Sequence, residues 1–344
     1  MKKLIYSSLI VLGLFTSCEN QDWEFPDYDY TTVYFPYQTP VRTIVLGEDL
    51  YDNTLDNEHK CLIMAAMGGV YENKTDRILD VVVDNDMFDS LLFNGDSGSY
   101  IIPMPANYYS LESTMQIVIP AGSTSGGIEV QLSDAFFNDP RSVENTYVIP
   151  LRIESVTNAD SILRGEALIP NPDVFNPDNW SVAPKDYILY CVKYINPYSG
   201  SYLRRGQDIC TGTAGNSALD TNIIYHNEYV ERNQVVNLST VSMNEVAVSL
   251  TTREAGNSSD LAFELSLNID ANGSCSVKAP QGASYTVSGS GNLVKDGDSW
   301  GGEERDVFHL QYVVSFSSSV HTITDTLVIR DRGVAFETFE AVGL

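Results

Sequence analysis

The stretch Lys295-Asp-Gly-Asp-Ser-Trp-Gly-Gly302 sets a rigid aromatic, Trp300, among carboxylates and glycines. That composition suits a sugar, which is held by aromatic faces stacked on its rings and by polar groups that take its hydroxyls. Asp296 and Asp298 supply the polar groups of the stretch, which reads as an exposed loop; Trp180, Tyr198 and Tyr202 are the further aromatic candidates. The same aspartates with Glu303 and Glu304 offer oxygen ligands for calcium. The twelve-residue loop pattern with its terminal Glu is missing, however, and a solvated hairpin is expected instead. Catalytic patterns are weaker. Asp80-Val-Val-Val-Asp84-Asn-Asp86-Met-Phe88 is a spaced row of acids that ends on Phe88, where general acid catalysis needs a protonatable group. His59, His226, His309 and His321 are scattered, and no serine stands in Gly-x-Ser-x-Gly. The residues point to binding rather than catalysis, with no cofactor and no metal.

Strands must position these side chains. From Thr31 the chain breaks into short β-rich runs, among them Cys61 to Met67, Arg77 to Val83, Met115 to Ile119, Ile128 to Leu132 and Tyr147 to Ile153. About seven such runs without a long helix predict an antiparallel β-sandwich over residues 31–156. Residues 157–184 hold Pro170, Pro172, Pro177 and Pro184 and read as a stiff connector, with one short helix expected from Asp160 to Leu168. Residues 185–344 form the second unit, opening on the aromatic run Tyr187 to Tyr194. It continues with alternating runs such as Val246 to Leu250, Leu261 to Ile269, Phe308 to Phe316 and Thr322 to Ile329. Asp270-Ala-Asn-Gly273 reads as a hairpin turn. Alternation over about eight meandering strands predicts closure into an up-and-down β-barrel, which removes exposed edges. The fold class is all-β.

Formal net charge is −26. Removing residues 1–17, which hold two lysines and no acid, leaves 18 basic against 46 acidic residues, a net charge of −28. Nucleic acid and anionic lipid surfaces are excluded as partners, since both require a positive footprint. Apart from Cys18, the cysteines are Cys61, Cys191, Cys210 and Cys275. They lack the spacing of a zinc site and read as buried thiols, Cys191 with Cys210 being the pair best suited to any bridge.

The first residues carry an address. Lys2 and Lys3 precede an apolar run from Leu4 to Phe15, then small Thr16 and Ser17, which is a secretory signal peptide over residues 1–17. The run is shorter than the roughly 20 residues a transmembrane helix needs. Phe15-Thr16-Ser17-Cys18 resembles the lipobox of bacterial lipoproteins, with Phe15 in place of the usual Leu, and the resemblance implies cleavage before Cys18 and its lipidation. Residues 18–30, acidic and without a hydrophobic period, read as a tether. They also resemble the acidic signal that sends Bacteroidetes lipoproteins to the outer face of the outer membrane.

Two further resemblances span most of the remaining chain. The succession Ile119-Pro-Ala-Gly-Ser123, Gly127-Ile-Glu-Val-Gln-Leu-Ser-Asp134 and Tyr147-Val-Ile-Pro-Leu-Arg-Ile153 resembles the immunoglobulin-like N-terminal domain of Bacteroidetes surface lipoproteins encoded with polysaccharide-utilisation systems. Similar domains also precede family-18 glycosidase modules, but the row Asp80 to Phe88 departs from that family's motif in spacing and in its last residue. Tyr198-Ser-Gly-Ser-Tyr-Leu-Arg-Arg-Gly206 and Arg330-Asp-Arg-Gly333 resemble the uncharacterised C-terminal domain of the same lipoproteins, whose start looks like that of a lipocalin barrel. The resemblance implies a lipid-anchored protein on the extracellular face of the outer membrane that captures glycan for a neighbouring outer-membrane transporter and touches the membrane only through its lipid. A protein-contact or adhesion subunit and a divergent glycoside hydrolase are the alternatives.

Overall fold

In the computed structural model the described residues are 30–88, 91–95 and 98–343. The signal peptide, Cys18 and all of the tether but Tyr30 lie outside them. The chain is all-β, as expected, with a sandwich followed by a closed barrel. The sandwich strands are β1 (Thr32–Tyr34), β2 (Pro40–Val45), β3 (Lys60–Gly68), β4 (Arg77–Val83), β5 (Leu91–Phe93), β6 (Ile102–Pro103), β7 (Tyr109–Leu111), β8 (Gln116–Ile119), β9 (Ser125–Leu132), β10 (Tyr147–Thr157) and β11 (Ser161–Ile162). A small hairpin, β12 (Glu166–Ala167) with β13 (Trp180–Val182), leads to β14 (Tyr187–Ile195). One sheet runs β11-β1-β3-β9-β7. The other contains β2, β14, β10, β4 and β8 in that order.

Alternation builds the core between the sheets. In β9, Ile128, Val130 and Leu132 face inward and meet Ile63, Ile117, Ile149, Leu151 and Ile153 from other strands. Two findings correct the expectations. Strand β14, assigned to the start of the second unit, is a central strand of the sandwich: it pairs antiparallel with β10 and parallel with β2. Its apolar run lacks alternation because both faces are buried. Ile188, Tyr190, Val192 and Tyr194 point into the main core, while Tyr187, Leu189 and Cys191 face a second cluster with Phe93, Phe339 and Ala341. The helix expected from Asp160 does not form, because the Asp160 carboxylate accepts from the Thr31 backbone N–H and hydroxyl at 2.7 Å each, and Ser161–Ile162 joins β1 as a parallel strand. The cysteines are as read: Cys61, Cys191, Cys210 and Cys275 are all free and buried, and the pair best suited to a bridge is split, with Cys191 in the sandwich and Cys210 in the barrel.

The barrel strands are β15 (Gly200–Gly212), β16 (Thr221–Tyr225), β17 (Gln234–Ser242), β18 (Glu245–Thr252), β19 (Leu261–Ile269), β20 (Ser274–Lys278), β21 (Thr286–Trp300), β22 (Glu303–Ser315) and β23 (Ser319–Asp331). Neighbours pair from β17 through β23, and β23 pairs back on β15. Strand β15 changes partner along its length: Gly200 to Arg204 pair with β17, and Gly206 to Cys210 pair with β16, so eight strands close the ring and β16 flanks it. The turn before Ser274 is as read, with Gly273 at φ 83° and the Asp270 carboxylate accepting from Asn272 and Ser274 N–H. After the barrel the chain returns to the sandwich, as β24 (Glu337–Thr338) beside β2 and β25 (Ala341–Gly343) beside β5.

Buried Arg332 holds the junction of the two units. Its guanidinium donates to four backbone carbonyls: Ser199 at 2.7 Å, Asn196 at 2.6 Å, Leu46 at 3.0 Å and Glu48 at 2.9 Å. Burial pulls its pKa below the usual arginine value. The fully buried Asn196 amide donates to Ser242 and Glu245 carbonyls at 2.7 and 3.0 Å, tying the end of β14 to the barrel.

Candidate functional site

The outer wall of the barrel carries a groove of about 460 Å³, floored by β21, β22 and β23. Side chains on a strand alternate between faces. While Phe308, Leu310 and Tyr312 fill the interior, His309 and Gln311 point outward. Register then aligns neighbours in two rows: Asn292, His309 and Thr326 in one, Ser290, Gln311 and Thr324 in the other. Glycines on the inward side let β21 seat closely. A Cβ at Gly291 would come within 2.3 Å of the His309 carbonyl oxygen, and one at Gly289 within 2.4 Å of the Tyr312 Cβ. None of the six side chains is acidic or basic apart from the imidazole. Thr326 Oγ1 and His309 Nδ1 lie 3.4 Å apart, while Ser290, Asn292, Gln311 and Thr324 have no side-chain hydrogen bond among the described residues. Two carboxamides and two hydroxyls therefore face solvent uncommitted.

An arm formed by the end of the β21–β22 hairpin bounds this groove. After a bulge between Val294 and Asp298 the hairpin lies across β23 and reaches β15, where Asp298 meets Arg205 at 3.6 Å. Arg205 is the cross-strand neighbour of Thr326, so the ion pair stands at the groove's edge. Gly297 packs on Val307, where a Cβ would come within 2.7 Å of its Cγ1. The arm thus covers an outward valine that would otherwise be wet, and Val307 is fully buried.

The candidate residues fall in three places. Trp300 does not stand in a loop: it ends β21 and pairs with Glu303 across Gly301-Gly302, whose φ values of 68° and 85° make the tight turn. Its indole N–H donates to the Ile329 carbonyl at 3.2 Å, and the Arg305 guanidinium lies 5.5 Å from the ring, so this half-buried side chain pins the arm to β23. Glu303 and Glu304 likewise belong to β22 rather than to a loop, Glu303 pairing with Arg305 at 2.6 Å. Asp296, at φ 51° in the bulge, donates its N–H to the Asp306 carboxylate at 3.0 Å. Trp180 belongs to the small hairpin beside the sandwich, its N–H bonded to the Asp173 carbonyl at 2.8 Å. Tyr202 is 1% exposed in the barrel core and donates to the Tyr198 carbonyl at 2.8 Å, while Tyr198 is half-buried against Phe308. Tyr202 therefore presents no free face.

Inside the barrel lies a polar cluster that sequence reasoning missed. Arg204 Nε donates to Asp325 Oδ1 at 2.9 Å and Nη1 to Gln234 at 3.2 Å; the guanidinium lies 3.8 Å from the Tyr225 ring centroid. Tyr312 donates to Asp325 Oδ2 at 2.6 Å, and burial first, then this carboxylate, push its phenol well above the ordinary value. Gly206 makes the geometry possible, since a Cβ there would approach Asp325 Oδ1 to 2.2 Å. Nearby, His321 Nδ1 lies 3.0 Å from Asp208 Oδ1 and His321 Nε2 lies 3.2 Å from Ser319 Oγ. That is the order acid, imidazole, hydroxyl, but all three are fully buried, whereas acyl transfer needs a hydroxyl the substrate can reach. Among the described residues no group of three or more His, Cys, Asp or Glu is placed to hold a metal ion, and no helix is long and apolar enough to cross a membrane.

A family model for an N-terminal domain matches residues 28–160, and the family called domain of unknown function (DUF5627) matches residues 197–333. A protein of unknown function from Bacteroides ovatus, solved at 2.40 Å, is 41% identical, with a TM-score of 0.84 over 92% of this chain and 100% of that one. An auxiliary nutrient binding protein from Bacteroides thetaiotaomicron is 12% identical, with a TM-score of 0.37 over 86% of this chain and 95% of that one, a likeness too low to carry an argument. No curated protein matches the chain. The extent and identity of the first match show that this chain belongs to the family of the Bacteroides ovatus protein, with the match to DUF5627 lying over residues 197–333.

Proposed function

We propose that this protein is a non-catalytic cell-surface lipoprotein that captures a neutral glycan in the groove on the outer wall of its barrel. The observation that carries the reading is the set of uncommitted amide and hydroxyl side chains on Ser290, Asn292, Gln311 and Thr324, gathered on one face, while Asp325, which also lines the groove, turns its carboxylate inward to Arg204 and Tyr312. In a chain with 46 acidic and 20 basic residues, an outward face of neutral polar side chains suits an uncharged, hydroxyl-rich ligand. Asp298 and Trp300 serve it indirectly, by holding the arm that forms one rim. The address at Cys18 supports placement on the outer membrane by a lipid anchor, facing outward, with the sandwich as spacer and an outer-membrane transporter as the receiving partner.

The test is a glycan array probed with the mature chain lacking only residues 1–18, followed by calorimetry on any hit. Binding to neutral polysaccharide is expected. Removing both Asn292 and Gln311 side chains should weaken it about tenfold or more, since each net hydrogen bond contributes about 0.5–1.5 kcal/mol. Undiminished affinity in the folded double variant rules the groove out. Anchoring is checked separately: Cys18→Ala should abolish labelling by a fatty-acid analogue and release the protein from membranes. The protein-contact alternative has its own observation, the exposed pair Tyr37 (55%) and Phe336 (66%) with ring centroids 4.9 Å apart. A clean negative on glycans makes that pair the next surface to mutate.

A further inference from the structure

We infer that the groove takes an internal stretch of an extended neutral polysaccharide, laid across the strands at one sugar unit per strand. This rests on the reading of the groove as a glycan site and adds to it the conformation and length of the ligand.

The row through Gln311 does not stop at the groove. Register carries it over six consecutive strands as Asn268, Ser276, Ser290, Gln311, Thr324 and Gln207, from β19 to β15. Every member is neutral and polar. The second row runs parallel to it, with Ser274 ahead of Asn292 on β20 and Arg205 after Thr326 on β15. Adjacent strands lie about 4.8 Å apart, close to the length of one pyranose unit in an extended chain. Outward residues two apart on one strand are about 6.7 Å apart, comparable with the width of a sugar ring with its hydroxyls. The two rows therefore form a ladder: each strand offers one polar side chain to either edge of one ring. A ligand recognised by its end would need a wall across the path. Here the arm meets only the β15 end of the second row, at Arg205, and the row through Gln311 continues past the groove on both sides.

The barrel's curvature limits how many strands one stiff chain can touch. Three strands floor the groove and β20 and β15 flank it, so contact should extend over about three to five units. The experiment is calorimetry of the mature chain with β-1,4-linked gluco-, xylo- and manno-oligosaccharides of one to eight units and with the parent polysaccharides. For the series that binds, affinity should rise about fivefold or more per added unit up to about four units and then level, and a chemically blocked reducing end should change nothing. Gln311→Ala should weaken every length, whereas Ser276→Ala and Gln207→Ala should weaken only the oligosaccharides long enough to reach β20 and β15. If a mono- or disaccharide binds as tightly as the polymer, or if blocking the end abolishes binding, the extended-chain inference fails while the glycan reading stands. If no polysaccharide or oligosaccharide binds, the groove reading itself fails and this inference with it.

Discussion

The sandwich and the barrel enclose different kinds of interior. Between the sandwich sheets the contacts are aliphatic and aromatic, with Ile63, Ile117, Ile128, Ile149 and Ile153 fully buried, and polar groups such as Asp56 and Asp186 sit toward the edges, paired with arginines at the surface. The barrel is apolar in one half and charged in the other. Strands β15 and β23 bring the Arg204–Asp325 ion pair together with Asp208 and the His321 imidazole, all but fully buried. Such charges are costly to bury and weak as net stabilisers, but each one depends on its partner. The sandwich should therefore tolerate conservative changes that the barrel does not.

Conservative substitutions in the two interiors give the largest contrast. Asp325→Asn keeps the shape and removes the charge facing Arg204, so unfolding in urea should show a loss of about 3–5 kcal/mol. Ile149→Val in the sandwich should cost only about 0.5–1.5 kcal/mol. A double change to Arg204→Met with Asp325→Leu should restore much of the loss, because apolar residues of similar volume remove the burial penalty of both charges. A cost below about 1 kcal/mol for Asp325→Asn would show that the ion pair does not hold the barrel.

The junction comes next. Arg332→Ala strips four carbonyls of their donor and should destabilise by about 1–3 kcal/mol. It should also split a single unfolding transition into two, one for each unit. A transition that stays single, seen by probes in both units, would mean that the returning strands β24 and β25 couple them without the arginine.

Alkali should weaken both units. Burial pushes the thiols of Cys61 and Cys191 in the sandwich, and of Cys275 in the barrel, up to about 12. In the unfolded chain a thiol ionises near about 8.5. Between about pH 9 and pH 12 the unfolded chain has lost these protons and the folded chain has not, so stability falls as pH rises through that window and is unaffected below it. Cys275→Ala should make the decline shallower for the barrel and leave the sandwich as it was. At neutral pH none of the four buried cysteines, Cys61, Cys191, Cys210 and Cys275, should react with a thiol reagent until the protein unfolds.

The smallest effects belong to the groove. Ser290→Ala, Asn292→Ala or Gln311→Ala should change stability by no more than about 0.5 kcal/mol, because these side chains bond nothing in the protein. A larger loss of stability would assign them a structural role and weaken their case as a binding surface.

Much of this was written locally. A strand's side chains alternate with a period of two, so Phe308 to Phe316 announces which residues line the barrel and which face water, and Asp270 to Gly273 announces its turn without reference to any other part of the chain. The address proposed for Lys2 to Cys18 is likewise read from one contiguous stretch. What it cannot carry is who lies beside whom. The run Tyr187 to Tyr194 says that both faces are buried, but only pairing with Val41 and Val148 puts it in the sandwich. Trp300 among aspartates and glycines has the same composition in a loop or at the end of a strand; the reach of its N–H to Ile329 decides for the strand. The groove is the clearest case. Asn292, Gln311 and Thr324 come from three strands, and each is an ordinary outward residue until register sets them side by side. Alternation is fixed by the geometry of one residue and its neighbours, whereas pairing is fixed by the closure of the whole barrel, and so the tertiary structure alone assembled the site.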